Sequence, residues 1–265
     1  MAITIGLDAG HGGSSSGTYS INSTKDGLFE KDYTLDLCKR VANKLNEHGV
    51  KTVLTRTSDT NVGEDYKDGI VVKRALICAD AKCNYAVSIH FNGFETESAN
   101  GCEVFVPYAE KGAGIEAGYK KYLGKFFKLR APFARSNSYY DRNSIFDKKL
   151  NVSTRKFENY SNGKDYFGFI RTCWEKGISA DLLEVCFLTN RKDFETYTKN
   201  TDAIADAIAR AICEGYKIEW KPRETVKPVE PTEENSKYFI AFNEKGKAEA
   251  FAESVGAFVV EGNNG

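Results

Sequence analysis

The sequence has no bias of charge. Its 265 residues carry 37 Lys+Arg against 37 Asp+Glu, a formal net charge of +0, so no global field gathers nucleic acid or an anionic surface. No apolar run is long enough to span a bilayer. The N-terminus lacks the basic start, apolar stretch and small-residue cleavage site of a signal peptide, and the expectation is a protein held in the cytoplasm until something releases it. Cysteine occurs seven times, at 38, 78, 83, 102, 173, 186 and 213, an odd number with no CxxC pair. That excludes a disulfide scaffold and a zinc ribbon and reads as reduced core thiols. Histidine is scarce, with three in the chain, and of five prolines three fall at 222, 228 and 231.

What is present is organised around Ile3 to Gly13 (ITIGLDAGHGG). Ile3, Ile5 and Leu7 alternate with small or polar residues as in a half-buried strand, which breaks at Asp8-Ala9-Gly10-His11-Gly12-Gly13. Glycines on both sides of His11 clear side chains from around the imidazole and leave room for a ligand. A glycine-rich turn with an incidental histidine is the other reading. After a polar loop, Glu30 opens a helical pattern with Leu35, Cys38, Val41, Ala42 and Leu45 on one face, stopping at His48-Gly49. Glu30 alone could be helix-end electrostatics, and His48, in a last turn, reads as a cation near free carbonyls. Lys51 to Arg56 is a strand; Arg74, Ala75, Leu76, Ala79 and Cys83 mark a helix; and Tyr85 to Ile89 is a strand ending at His90-Phe91-Asn92-Gly93. Two histidines therefore follow apolar strands, where open α/β sheets gather their ligand sites.

Gly101 to Pro107 reads as a strand with Glu103 pointing outward, and Gly114 to Arg130 as a helix. Ala131 to Gly168 has no sustained period and is expected as an irregular rim insertion, in which Tyr139, Tyr140, Arg142, Arg155 and Tyr160 could line a groove. Ser179 to Leu188 (SADLLEVCFL) is an apolar strand with Glu184 inside it. A carboxylate there is costly unless paired or metal-bound. Ile204, Ala207, Ile208, Ala211 and Ile212 give an amphipathic final helix.

His11, Glu30 and His90 form a two-histidine, one-carboxylate set of the kind that leaves a fourth position on zinc for water, with Glu184 as the acid/base group beside it. The ordered stretches DAGHGG, a Glu leading into a helix that ends HGVKTVLTR, a helix with Arg74 and Ala79 before SIHFNG, then GCEVFVP and LLEVCFLTN resemble the zinc-dependent N-acetylmuramoyl-L-alanine amidases of the type-3 family, found in bacterial autolysins and phage endolysins. The resemblance implies an α/β fold with a twisted, mostly parallel central sheet flanked by helices. It also implies Zn2+ on His11, Glu30 and His90 with Glu184 catalytic, and cleavage of the amide between N-acetylmuramic acid and the first L-alanine of the peptidoglycan stem. Asn92 and Arg171 occupy positions that the resemblance places near the substrate. Two departures stand out: Cys186 where the family would have glycine, a change that could crowd the site or tune the metal, and the long polar stretch between 131 and 170.

The expected organisation is a catalytic domain over 1–220, a Pro-rich linker over 221–236 (KPRETVKPVEPTEENS), and a βαβ segment over 237–265. That segment is too short for a core of its own. It is expected to be part of a wall-binding module, completed by a second copy in a homodimer or truncated, with a docked or frayed tail as the plainer reading. The expected partner is peptidoglycan, with no nucleic acid and no membrane. An endolysin waiting in the host bacterial cytoplasm fits the missing leader, as would an exported autolysin stripped of its leader. The competing classes are a zinc peptidase or deacetylase of other wall specificity and a non-catalytic wall-binding protein.

Overall fold

The computed structural model describes residues 3–62, 66–67, 70–107, 114–136, 165 and 167–221. All but Lys221 belong to one compact unit ending at Trp220. The rest of the expected linker and tail, and Tyr139, Tyr140, Arg142, Arg155 and Tyr160, lie outside the described residues. In chain order the elements are β1 (Thr4–Ala9), α1 (Ser23–Asp26), α2 (Glu30–Glu47), β2 (Lys51–Leu54), β3 (Tyr66–Lys67), β4 (Ile70–Val71), α3 (Lys73–Asp80), β5 (Tyr85–Asn92), β6 (Cys102–Val106), α4 (Ile115–Leu123), β7 (Leu129–Ser136), α5 (Gly168–Glu175), β8 (Ser179–Phe187) and α6 (Arg191–Gly215).

Six strands form one sheet in the order β2-β1-β5-β8-β6-β7, and β3 pairs with β4 apart from it. β2, β1, β5 and β8 are mutually parallel; β6 runs antiparallel to β8 and carries β7 parallel to itself. The sheet is thus mostly parallel, as the resemblance implies, and the carboxyl ends of its four parallel strands, β2, β1, β5 and β8, share one edge.

Alternation along the strands feeds a core on each face. Ile5, Leu7 and Ala9 of β1, Tyr85, Val87 and Ile89 of β5, and Leu183 and Val185 of β8 join the buried residues of α2, α4 and α6. The opposite parity, Ala86, Ala180 and Leu182, packs with α3 and α5. There Gly6 of β1, where a Cβ would come 2.6 Å from Cys78 Sγ, lets α3 sit directly against the strand. The face shared with α3 and α5 is the one that carries His90, Glu184 and Glu103, since His90 pairs with Glu184 and Glu184 with Glu103 across β5, β8 and β6. Among the described residues no helix is long and apolar enough to cross a membrane.

Four expectations need correction. Glu103 is buried, 4% exposed, because its strand is covered by β8 on one side and β7 on the other. The helix at Gly114 stops at Leu123; the chain turns so that Phe127 enters the core and Lys128 accepts from Cys102 N–H at 2.8 Å, and β7 starts at Leu129. Strand pairing with β6 overrides local helical periodicity there. The stretch expected to be irregular from Ala131 begins as that strand and runs in it through Ser136. Cys186 does not crowd the site but is fully buried in the larger core. The register shift between His90/Glu184 and Asn92/Phe187 is a bulge: it turns Cys186 inward and brings Phe187, not Cys186, opposite Asn92.

Candidate metal centre

Each of the three candidate ligands is held by a different device at the carboxyl edge of the sheet. His11 follows β1 in a left-handed conformation, φ 61, rare for a residue with a side chain. Two buried arginines hold the turn there. Arg74 donates Nη1–H to Ala9 O (2.7 Å) and Nη2–H to His11 O (2.5 Å). Arg56 donates Nε–H to Ala9 O (2.9 Å) and Nη2–H to Gly10 O (3.0 Å) and Lys31 O (2.6 Å). Arg74 also pairs with Asp8 (2.8 Å), which accepts from Thr55 and Ser88. Burial opposes ionisation of Asp8, but Arg74 and these hydrogen bonds outweigh it and hold the carboxyl below its usual range.

Glu30 is the first residue of α2, where the helix dipole favours an anion. It is more than a helix-end charge: Oε1 accepts from Phe91 N–H (2.9 Å) and Oε2 from Thr18 N–H (2.8 Å), and the side chain is 4% exposed. Burial pushes its pKa up, yet hydrogen bonds and charge from His11 and His90 more than reverse this, leaving a carboxylate. His90 lies near the end of β5, its ring packed over Gly10, where a Cβ would fall 2.5 to 2.7 Å from ring atoms. Burial disfavours its charged form, and Glu30 and then Glu184 override this and raise its pKa.

His11 Nε2 stands 3.2 Å from Glu30 Oε2, and His90 Nδ1 stands 3.0 Å from Glu30 Oε1. The two rings meet edge to face at 4.9 Å. The three donor atoms lie within 4.8 Å of one another. Around a metal bound at about 2.0–2.1 Å, neighbouring tetrahedral ligands are separated by roughly 3.4 Å, so the two His–Glu distances already approach that spacing. Ser15 Oγ, 3.1 Å from His11 Nδ1, is placed to set the tautomer that leaves Nε2 free to coordinate. The histidine side chains are 26% and 20% exposed while Glu30 is closed off, so the cluster opens to solvent on one side. This donor set and geometry fit a metal ion with a vacant position for a reactant.

Glu184 flanks the cluster, in register with His90 on the next strand. Asn92 donates Nδ2–H to Glu103 Oε1 at 3.1 Å. Arg171 is buried on α5 and donates Nη1–H to Asp165 O. His48 caps α2, contacts Lys44 O (2.7 Å) and stacks at 4.0 Å on Trp220, away from the cluster. Sequence reasoning missed the work of Arg56 and Arg74 on the His11 turn; the visible signal was an arginine just after an apolar strand and another opening a helix.

Residues 5–214 match the Amidase_3 family, described as N-acetylmuramoyl-L-alanine amidase. The chain belongs to this amidase family. It is similar to N-acetylmuramoyl-L-alanine amidase LytC of Bacillus subtilis, 36% identical over 102 residues that make up 38% of this chain and 18% of LytC. It is also similar to the probable cell wall amidase LytH of Staphylococcus aureus, 39% identical over 102 residues, 38% of this chain and 30% of LytH. The aligned part is thus a minor share of both relatives. The catalytic domain of CwlV, an N-acetylmuramoyl-L-alanine amidase from Bacillus (Paenibacillus) polymyxa var. colistinus, superposes with a TM-score of 0.59 at 24% identity, covering 83% of this chain and 100% of that domain. The likeness to CwlV shows a shared fold. The family match spans all three candidate ligands of the cluster and Glu184.

Proposed function

We propose that the chain is a zinc-dependent N-acetylmuramoyl-L-alanine amidase that cuts the amide between N-acetylmuramic acid and the L-alanine of the peptidoglycan stem. The observation that carries this reading is the His11–Glu30–His90 cluster, open on one side and flanked by Glu184, inside a family match of residues 5–214. His11, Glu30 and His90 would hold the ion. A zinc ion held there would supply Lewis acidity, lowering the pKa of water towards neutrality and polarising a carbonyl. Glu184 takes the proton of the attacking water on its carboxylate and passes it to the departing L-alanine amine. The Thr18 and Phe91 amides keep both oxygens of Glu30 in place, and Ser15 orients the His11 ring.

The compartment reading is an endolysin stored in the host cytoplasm until lysis exposes the wall. It draws support from seven cysteines that are all free and buried, which suits a reducing compartment. The segment 237–265 is proposed as a partial wall-binding or dimerising module, and sedimentation of the full chain tests it: a strict monomer would remove the homodimer.

The decisive experiment is metal analysis of the purified chain together with mass spectrometry of digested peptidoglycan, with and without chelator. One zinc per chain and chelator-sensitive release of stem peptides beginning at L-alanine are expected. Cuts elsewhere in the stem, or full activity after metal removal, would overturn the assignment.

A further inference from the structure

The side chains that pair across the sheet form a row that continues past the metal cluster. β5, β8, β6 and β7 are adjacent; His90, Glu184 and Glu103 lie along one register, and Arg130 of β7 stands beside the irregularity that interrupts the β6–β7 pairing at Glu103. Two carboxylates directly opposite each other repel, and Arg130 answers the outer one: its Nε stands 2.9 Å from Glu103 Oε1, an ion pair outside aligned hydrogen-bond geometry. The same guanidinium lies over Phe187, 5.0 Å from the ring centre. Phe187 is 3% exposed yet joins neither apolar cluster, because the bulge after Glu184 turns it onto the catalytic face, under Arg130. Arg130 is thus fixed along one edge by Glu103, at Nη1 by a long hydrogen bond to Asn100 O (3.4 Å), and across one face by Phe187, while its side chain stays 31% exposed against 6% for Glu103. A planar cation so placed is pre-organised to pair with a carboxylate.

We propose that Arg130 is a specificity-determining residue whose guanidinium pairs with a carboxylate of the stem peptide. The guanidinium lies at Glu103, one strand spacing of about 4.8 Å from Glu184, and over Phe187, three positions on from Glu184 along β8, so a carboxylate paired with it falls within the reach of about three extended residues from the scissile amide. The sugar side of the scissile amide is neutral and the peptide side carries the acids, so the carboxylate belongs to the first residues of the stem. This inference rests on the amidase reading of the metal centre.

Two muramyl-peptides test it, one with its stem carboxylates free and one with them converted to primary amides. Both are given to the full-length zinc-loaded protein for steady-state kinetics and for calorimetric titration. A charge-assisted contact at a half-exposed site predicts that the wild type favours the acid by about tenfold to a hundredfold, through KM and Kd and not kcat. Arg130→Gln brings the acid down to the level of the amide, erasing the preference, and Arg130→Lys restores part of it. Equal handling of the two substrates by the wild type would overturn the proposal, as would a preference that survives in Arg130→Gln. So would an equal loss on both substrates, which would mean that Arg130 serves only to hold Glu103. A titration preference erased by Arg130→Gln while neither substrate is cut at the muramyl amide would uphold the anion site and strike the amidase reading instead.

Discussion

Replacing Arg74 by methionine removes a side chain that joins the His11 turn to the buried charge beneath it. Arg74 donates to Asp8, to Ala9 O and to His11 O, and both Arg74 and Asp8 are buried. Without it Asp8 keeps its hydrogen bonds from Thr55 and Ser88 but loses its counter-charge. Breaking a buried pair from one side costs about 3–5 kcal/mol. At roughly 2–4 °C per kcal/mol for a unit of this size, Tm should fall by about 6–20 °C. Because the His11 carbonyl loses its donor and the turn is left to the hold of Arg56 on Ala9 and Gly10, zinc affinity should drop about 10- to 100-fold, the usual cost of losing an outer-shell support. Calorimetry of the apo protein and a zinc competition titration read the two effects separately. Asp8→Asn in the Arg74→Met background should recover part of the loss, since it removes the stranded charge. A Tm within about 2 °C of wild type, with unchanged zinc affinity, would refute the clamp, given that 1 kcal/mol already moves Tm by that much.

Glu184→Gln should lower kcat by about 10²–10⁴-fold, the range for a lost general acid/base, and retain zinc, whereas His90→Ala should lose both; metal analysis beside turnover separates the two. Gly17→Ala tests the cradle: at φ 69 a Cβ would fall 2.6 Å from Glu30 Oε2 and 2.7 Å from His11 Cδ2. The backbone penalty is about 1–2 kcal/mol, with zinc affinity lost well before the fold, checked by titration at a temperature where circular dichroism is unchanged. The pH dependence has two parts. Asp8 has a depressed pKa, so its contribution to stability is complete above the ordinary carboxylate range near about 4 and disappears as pH falls through its lower folded value. Melting of Asp8→Asn against wild type from neutral to acid pH should show the gap closing only at the acid end. His90 has a raised pKa in the metal-free chain, so a metal must displace its proton, and zinc affinity and activity should rise with pH across the neutral range; a flat affinity profile there would contradict this.

Periodicity within single elements was enough to place most of the chain. The alternation of Ile5 and Leu7, the stripe of Cys38, Val41, Ala42 and Leu45 on α2, and the apolar runs of β5 and β8 each report burial of their own element. The three candidate ligands were legible because each sits at a punctuation mark of its element: after β1, at the start of α2, near the end of β5. Short-range pattern cannot report what a residue meets from a distant strand. Glu103 reads as an outward residue because its partners, Glu184 and Arg130, lie far along the chain on β8 and β7. The end of α4 at Leu123 was set by β7 pairing with β6, which local helical spacing does not encode. Cys186, two residues from the proposed acid/base Glu184, looks functional in one dimension; the bulge that buries it and turns Phe187 towards Arg130 exists only in the pairing of β8 with β5. The sequence by itself determined which elements form and which residues can do chemistry, because those depend on each residue's neighbours within a few positions. The tertiary structure decided the grip of Arg56 and Arg74 on the His11 turn and the charge row that ends at Arg130, because these depend on strand order and register between segments far apart in the chain.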